Sequence, residues 1–183
     1  MTSKSRIALI ALGVTALLAV GSSAFAAPVA PAARHATKTL TDRSLKATVT
    51  IPVAWKKIPD LGRGRFGYAG KSGWVQLDAA EKPGGLRYTC RLEATGTPAG
   101  RVYGKHPHIT FRRIDGRPGC LILPSRDAPR SAVVKNGPKF QQAEALVAYR
   151  RPIHTDGGRW PLLVIYGNRG HIKPIVRSVR LHH

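Results

Sequence analysis

Three glycine-bearing turns, each between two strand-forming segments, constrain the fold of this chain most strongly. The paired segments and their turns are 65–68 and 74–79 around 69–73, 109–114 and 120–123 around Asp115-Gly116, and 143–149 and 160–166 around 154–158. Glycine readily adopts the positive φ of tight turns, and Asp-Gly is a strong short-range hairpin signal. Strands joined by such short turns run antiparallel, so the sequence predicts a sheet built from hairpins.

Two further segments have the apolar spacing of amphipathic helices. The apolar positions are Leu86, Cys90 and Ala94 in the first segment, and Ile172, Ile175, Val176 and Val179 in the second. Residues 46–51 alternate polar and apolar, as a half-buried strand does. We therefore predict an α+β fold, in which an antiparallel sheet packs against two helices.

The start of the chain has the order of regions typical of a secretory signal peptide. Lys4 and Arg6 precede an apolar run, and Ala24-Phe25-Ala26 forms an A-x-A cleavage site. The apolar run is shorter than the roughly 20 residues of a spanning helix. We expect a signal peptide at 1–26, a flexible lead-in at 27–43 and one domain at 44–183. The mature protein would be secreted or periplasmic, without a transmembrane segment.

Cys90 and Cys120 are the two cysteines of the chain. An even cysteine count in an exported protein favours a disulfide, which is the pairing we predict here. The bond would close a loop of about 31 residues and stabilise the fold by roughly 3–4 kcal/mol in the chain-entropy treatment.

The charge balance is strongly basic, with 30 Lys and Arg against 9 Asp and Glu and a formal net charge of +21. Such a chain attracts polyanions, here a cell-wall polymer, anionic lipid headgroups or nucleic acid. An envelope protein is a further candidate partner. A basic surface that only keeps the protein soluble remains an alternative.

The stretch GRGRFGYAGKS at 62–72 resembles a nucleotide-binding loop, but its surroundings argue against that function. Gly62, Gly64 and Gly67 match G-x-G-x-x-G, a pattern that requires a strand before it and a helix after it. A proline-interrupted polar segment precedes these glycines and a predicted hairpin follows them. A P-loop would need glycine at position 65, which is Arg65. We therefore predict no nucleotide cofactor, and no other cofactor.

Basic residues nevertheless cluster around this stretch and on one face of the second predicted helix. The candidates for an anion-binding surface are Lys56, Lys57, Arg63, Arg65, Lys71, Lys173, Arg177 and Arg180. Trp55, Phe66 and Tyr68 lie among the first five, an arrangement that suits stacking on nucleic-acid bases. The alternative is a basic loop whose aromatic rings pack into the core.

The histidines do not form a metal-binding or catalytic motif. His106 and His108 flank Pro107, without the three or four ligands that a zinc site requires. Small secreted ribonucleases are basic, disulfide-bonded and use His or Glu as general acid and base. For such an enzyme the candidates would be His106, His108, Glu81 and Glu93, but no motif places any pair together. We predict no metal site and no catalytic residues.

Four segments resemble a known exported bacterial domain. They are SLKATVTIPVAWKKIP, RFGYAGKSGWVQLDAA, IDGRPGCLILPS and HIKPIVRSVRL. Together they are similar to the plan of PsbP-like α/β/α sandwiches, over about residues 44–181. The resemblance implies a non-catalytic domain that faces a ligand or partner, and it transfers no catalytic residues. The chain differs from the plan in its basic charge and in a longer connection at 126–141.

The combined expectation is an exported, non-enzymatic basic domain that binds an anionic envelope component or a protein partner. Two alternatives remain open. One is a cationic secreted ribonuclease that uses His106 and His108. The other is an accessory domain with no specific ligand.

Overall fold

Eleven strands and two helices are present in the computed structural model, which describes residues 36–59, 61, 65–82, 84–95, 102–155 and 157–182. The strands are β1 Thr37–Asp42, β2 Ala47–Pro52, β3 Lys56–Lys57, β4 Phe66–Gly70, β5 Gly73–Ala80, β6 His108–Ile114, β7 Arg117–Leu123, β8 Arg130–Ala132, β9 Lys139–Thr155, β10 Gly158–Asn168 and β11 Arg180–Leu181. The helices are α1 Leu86–Thr95 and α2 Ile172–Ser178. The predicted α+β class, with a mainly antiparallel sheet and two helices, is confirmed.

Most strands belong to one large antiparallel sheet in the order β3-β4-β5-β10-β9-β7-β6, with β8 paired to the start of β9. The three predicted hairpins are confirmed as β4–β5, β6–β7 and β9–β10. In the second, Asp115 has φ 49° and Gly116 has φ 70°, the left-handed pair that a tight Asp-Gly turn requires. Gly67 is followed by a strand and not by the helix of a dinucleotide fingerprint.

A smaller antiparallel sheet, β1-β2-β11, contains two strands that the sequence did not predict, β1 and β11. Residues 37–42 of the expected lead-in form β1, which pairs with β2 along its whole length. Threonine hydroxyls contact each other across the two strands at Thr39–Thr50 and Thr41–Thr48. The prediction of a flexible lead-in is therefore wrong for residues 37–42. The signal peptide and residues 27–35 lie outside the described part of the chain.

The two faces of the large sheet support two separate apolar clusters. Ala143, Ala145 and Val147 of β9 contribute to the cluster that contains α2 and the small sheet. Leu146 lies in the cluster that contains Cys90 and Ala94 of α1. Because side chains alternate along a strand, the two helices pack on opposite faces.

A disulfide joins Cys90 of α1 to Cys120 of β7, as predicted, and both cysteines are fully buried. The bond connects the helix to the strand beneath it. No helix in the described residues is long and apolar enough to cross a lipid bilayer.

The β9–β10 ladder is interrupted once, by a bulge with four residues on β9 and one on β10. Ile153 pairs with Trp160 and Ala148 pairs with Leu162, so residues 149–152 stand opposite Pro161 alone. Proline has no N–H to donate to a ladder, and both Pro152 and Pro161 lie at the irregularity. Such an irregularity interrupts the strict alternation of side chains between the two faces of the sheet over residues 149–152.

Removing the disulfide should destabilise the domain. In the variant C90A/C120A the free energy of unfolding should fall by roughly 3–4 kcal/mol, because the unfolded chain regains the entropy of an open loop. Urea unfolding of the oxidised wild type and the variant measures the difference. Reductant should lower the stability of the wild type alone; equal stability of the two oxidised proteins would contradict the expected contribution.

Candidate anion-binding site

The predicted basic residues around GRGRFGYAGKS occupy one end of the large sheet. Lys56 and Lys57 constitute the edge strand β3, opposite Ala69 and Tyr68 of β4, and both lysines are exposed. Lys71 is exposed in the β4–β5 turn. Arg63 lies outside the described residues. Three of the predicted cations therefore lie on one end of this sheet with their charges facing solvent.

Arg65 differs from these lysines because its charge is already paired. Its Nε atom lies 3.0 Å from Oδ2 of Asp78, in an ion pair that is partly exposed. An arginine in such a pair offers less charge to an external anion.

The remaining predicted cations belong to α2 and β11. Lys173 and Arg177 are exposed on α2. Nη1 of Arg180 donates hydrogen bonds to the carbonyls of Arg177 and Val179, at the C-terminal end of α2. Cations there interact favourably with the helix dipole, so Arg180 also stabilises the helix.

The aromatic residues of the stretch mostly pack inward. Trp55 is 1% exposed. Its indole N–H donates a hydrogen bond to Oγ of Ser72 at 3.0 Å, and its ring makes a T-shaped contact with the ring of His171. Phe66 and Tyr68 are half-buried against the core. Because Trp55 is inaccessible, it cannot stack on a nucleic-acid base.

The longer connection at 126–141 contains β8 and lines two pockets. The first, of about 220 Å³, places Val133, Val134 and Phe140 opposite Lys56 and Lys57. The second, of about 520 Å³, has three cations, Arg130, Lys139 and Arg169. No acidic residue is among the described residues that line either pocket.

A third pocket, of about 460 Å³, is the most strongly basic and is called the Arg117 pocket here. Its lining residues are Lys46, Arg117, Tyr149, Arg150, Arg151, Pro152, Ile153 and His182. Four of these side chains are formally cationic, and none is acidic. The protein thus concentrates positive charge in a concave site as well as on its open surface.

Irregular backbone in three separate parts of the chain brings these residues together. Lys46 has φ 47° in the turn between β1 and β2, and Arg117 directly follows the Asp115-Gly116 turn. Arg150 and Arg151 belong to the bulge opposite Pro161. A hydrogen bond from the His182 N–H to the Lys46 carbonyl, 2.8 Å long, joins the C-terminal segment to the first turn.

Within this pocket Arg117 is the buried cation. It is 5% exposed, and its Nη2 donates to the carbonyl of Leu181 at 3.0 Å. Tyr149 beside it donates its hydroxyl to the Leu45 carbonyl at 2.6 Å. Burial and the charge of Asp42 raise the pKa of Tyr149, and the charge of Arg117 lowers it. Tyr149 therefore stays neutral and contributes no negative charge.

The predicted anion-binding set contained none of the cations in the Arg117 pocket. They are separated in sequence by up to 105 positions (151 − 46, from Lys46 to Arg151), and only the fold brings them together. A local signal was nevertheless present: Arg150-Arg151-Pro152 interrupts a strand pattern, and Pro161 interrupts the facing one. Two prolines in paired strands indicate a bulge, and a bulge redirects whichever side chains it carries.

The residues considered for ribonuclease chemistry are not paired. His106 donates its backbone N–H to Oγ of Ser125, and His108 begins β6 opposite Leu123. Both are exposed, and Glu81 is exposed after β5. Across the described residues, no hydrogen bond or ion pair joins either imidazole to a carboxylate. Nor do three His, Cys, Asp or Glu side chains in this part of the chain form a cluster suited to a metal.

A buried carboxyl lies on the α1 face of the sheet. Glu144 is 1% exposed; its Oε2 accepts a hydrogen bond from the Tyr103 hydroxyl, which in turn accepts one from Gln142. Its Oε1 has no hydrogen-bond partner among the described residues. Burial, together with the charge of nearby Glu93, raises the pKa of Glu144 to about 8, although the hydrogen bond from Tyr103 lowers it. Burial also raises the pKa of Glu93.

No protein-family model matches this chain, and no curated protein matches its sequence.

The raised pKa of Glu144 should make the stability of the protein fall with increasing pH. Between about pH 4.5 and pH 8 the folded state binds more protons than the unfolded state, so the free energy of unfolding decreases through this range, by roughly a few kcal/mol. In E144Q this decrease should be largely removed, because the buried group no longer ionises. Urea unfolding at pH 5, 6, 7 and 8 measures it.

The exposed acid Glu81 provides the control. E81Q should retain the pH dependence of the wild type. If wild-type stability instead rose across the range, or if E144Q matched the wild type at every pH, Glu144 would not be the responsible group.

Proposed function

We propose that this protein is an exported, non-enzymatic domain that binds an anionic component of the cell envelope, with an anionic polymer as the favoured partner. The observation that supports this function most directly is shared by the three pockets described above. Each is lined by at least two cationic side chains and, among the described residues, by no acidic one. Concave sites of one charge sign raise the local concentration of the opposite charge.

The charge balance supports the same function. The sequence has more than three basic residues for each acidic one. Among the described residues, Arg65 and Asp78 form the one ion pair, so most cations have no internal counter-charge. Their attraction for an external polyanion is therefore not cancelled within the protein.

The proposal includes export of the protein and an α/β/α sandwich as the more detailed description of its fold. A buried disulfide suits an oxidising compartment, and a protein exported by a signal peptide at 1–26 would reach such a compartment. The packing of α1 and α2 on opposite faces of the sheet is compatible with a PsbP-like α/β/α sandwich. In such a sandwich the small sheet beside α2 would be an addition to one outer layer.

Polyanion binding should depend steeply on salt and on the pocket cations. We expect the oxidised protein to bind a fluorescent single-stranded oligonucleotide, used as a polyanion of known charge, at about 50 mM salt. The logarithm of the association constant should fall linearly with the logarithm of the salt concentration, by about 0.7 per phosphate engaged. Fluorescence anisotropy over a salt series measures this slope.

Two variants with equal net charge separate localised from diffuse binding. K56Q/K57Q/R130Q/R169Q removes four exposed cations that line pockets, and R91Q/K105Q/R112Q/R126Q removes four exposed cations that do not. The first variant should bind more weakly and with a shallower slope. Equal weakening would indicate diffuse attraction, and no binding by the wild type would favour an accessory domain without a ligand. Cleavage of RNA that is lost in H106A/H108A would support the ribonuclease alternative.

A further inference from the structure

We propose that the Arg117 pocket is a specific binding site for the phosphoryl group of a phosphomonoester. The guanidinium of Arg117 would contact the ligand at the buried end of the pocket, and those of Arg150 and Arg151 at its exposed end. Such a site rests on the anion-binding function proposed above and adds to it a defined location and a class of ligand.

Arg117 carries a buried charge that the protein leaves largely uncompensated. Among the described residues its guanidinium donates one hydrogen bond, to the Leu181 carbonyl, and forms no ion pair. A guanidinium has five N–H donors, and no nitrogen of Arg117 is both buried and without a partner, so its remaining donors are open to solvent. A bound oxyanion would supply both the missing acceptors and the missing negative charge.

Two carboxylates near Arg117 do not perform this role. Asp42 accepts hydrogen bonds from the Ser44 hydroxyl and the Leu45 N–H. Asp115 accepts the N–H of Leu181 at 2.8 Å. Both are occupied by donors of the turns and of β11, and neither lines the pocket. The described lining residues of the pocket therefore offer an incoming anion cationic groups and no carboxylate.

The bulge adds two cations to the same site. Had residues 149–152 continued the β9–β10 ladder, their side chains would have alternated between the two faces of the sheet. With four residues opposite one, Arg150 and Arg151 both line the pocket, although they are consecutive. Arginine pairs present planar donor groups that match the oxygens of a phosphate.

The charge and size of the pocket favour a phosphomonoester over a carboxylate. Lys46, Arg117, Arg150 and Arg151 provide four formal positive charges, which a doubly charged phosphate balances better than a singly charged carboxylate. The volume of about 460 Å³ lies within the roughly 300–1,000 Å³ of small-molecule sites. Pro152 and Ile153 provide apolar wall for the group that carries the phosphate.

Titration of the intact oxidised protein with small anions tests this site. Isothermal titration calorimetry at low ionic strength and pH 8 would compare inorganic phosphate, glycerol 1-phosphate, sulfate and acetate. We expect glycerol 1-phosphate to bind more tightly than inorganic phosphate, and acetate to bind least. R150Q/R151Q should weaken glycerol 1-phosphate binding by about 10- to 100-fold, because two charge-assisted contacts are lost. R112Q/R126Q removes the same charge from exposed positions outside the three pockets and should bind like the wild type.

R117K tests the buried end while keeping the charge. It should also weaken binding, because an ammonium cannot form the paired contacts of a guanidinium; near-ultraviolet circular dichroism establishes that it folds. If R117K does not fold, R150Q/R151Q alone decides the matter.

Several outcomes would overturn the site. They are no phosphate binding at about 10 mM, equal weakening by R150Q/R151Q and R112Q/R126Q, or acetate binding as tightly as phosphate. Equal affinity for inorganic phosphate and glycerol 1-phosphate would identify free phosphate as the ligand and overturn the ester. If the oligonucleotide still binds in the salt series when phosphate does not, the anion-binding function stands and the specific site fails; if neither binds, both fail.

Discussion

The pairing of β9 with β10 at the centre of the large sheet determines the position of almost every other element. Both faces of these strands are covered. Successive residues therefore point alternately into two apolar clusters, and both faces carry apolar side chains. One cluster contains α2 and the other contains α1, which the disulfide fixes to β7. Glu144 is buried because it lies on this central strand, where even a carboxyl side chain must point into a covered face.

The sequence predicted those parts of the fold in which local chemistry and tertiary packing agree. The three hairpins were recognisable because glycine lies where the chain must turn, and the two helices because Cys90 and Ile175 have apolar neighbours at helical spacing. Strands β1, β3, β8 and β11 were not predicted. They are short or polar, and pairing with a neighbouring strand stabilises them more than their own composition does. The threonines of β1 show this, since their partners are the threonines of β2.

The candidate site was less predictable than the fold. Of the basic residues that cluster along the sequence, Lys56, Lys57 and Lys71 are exposed, but Arg65 is paired with Asp78 on the neighbouring strand. The Arg117 pocket combines residues from the β1–β2 turn, the β6–β7 hairpin, the bulge and the C-terminal segment. Apart from the two prolines that mark the bulge, the local sequence carries no information about such a site. Only the way the strands are joined determines which cations meet.

The bulge at 149–152 has a consequence for how this protein can vary. The ladder resumes in register on both sides of it, at Ala148 with Leu162 and at Ile153 with Trp160. Within the bulge Arg150 and Arg151 are exposed and have no ladder partner, so a change of either side chain breaks no strand pairing. Arg150 and Arg151 are therefore positions whose side chains can change while the core and the strand register stay the same.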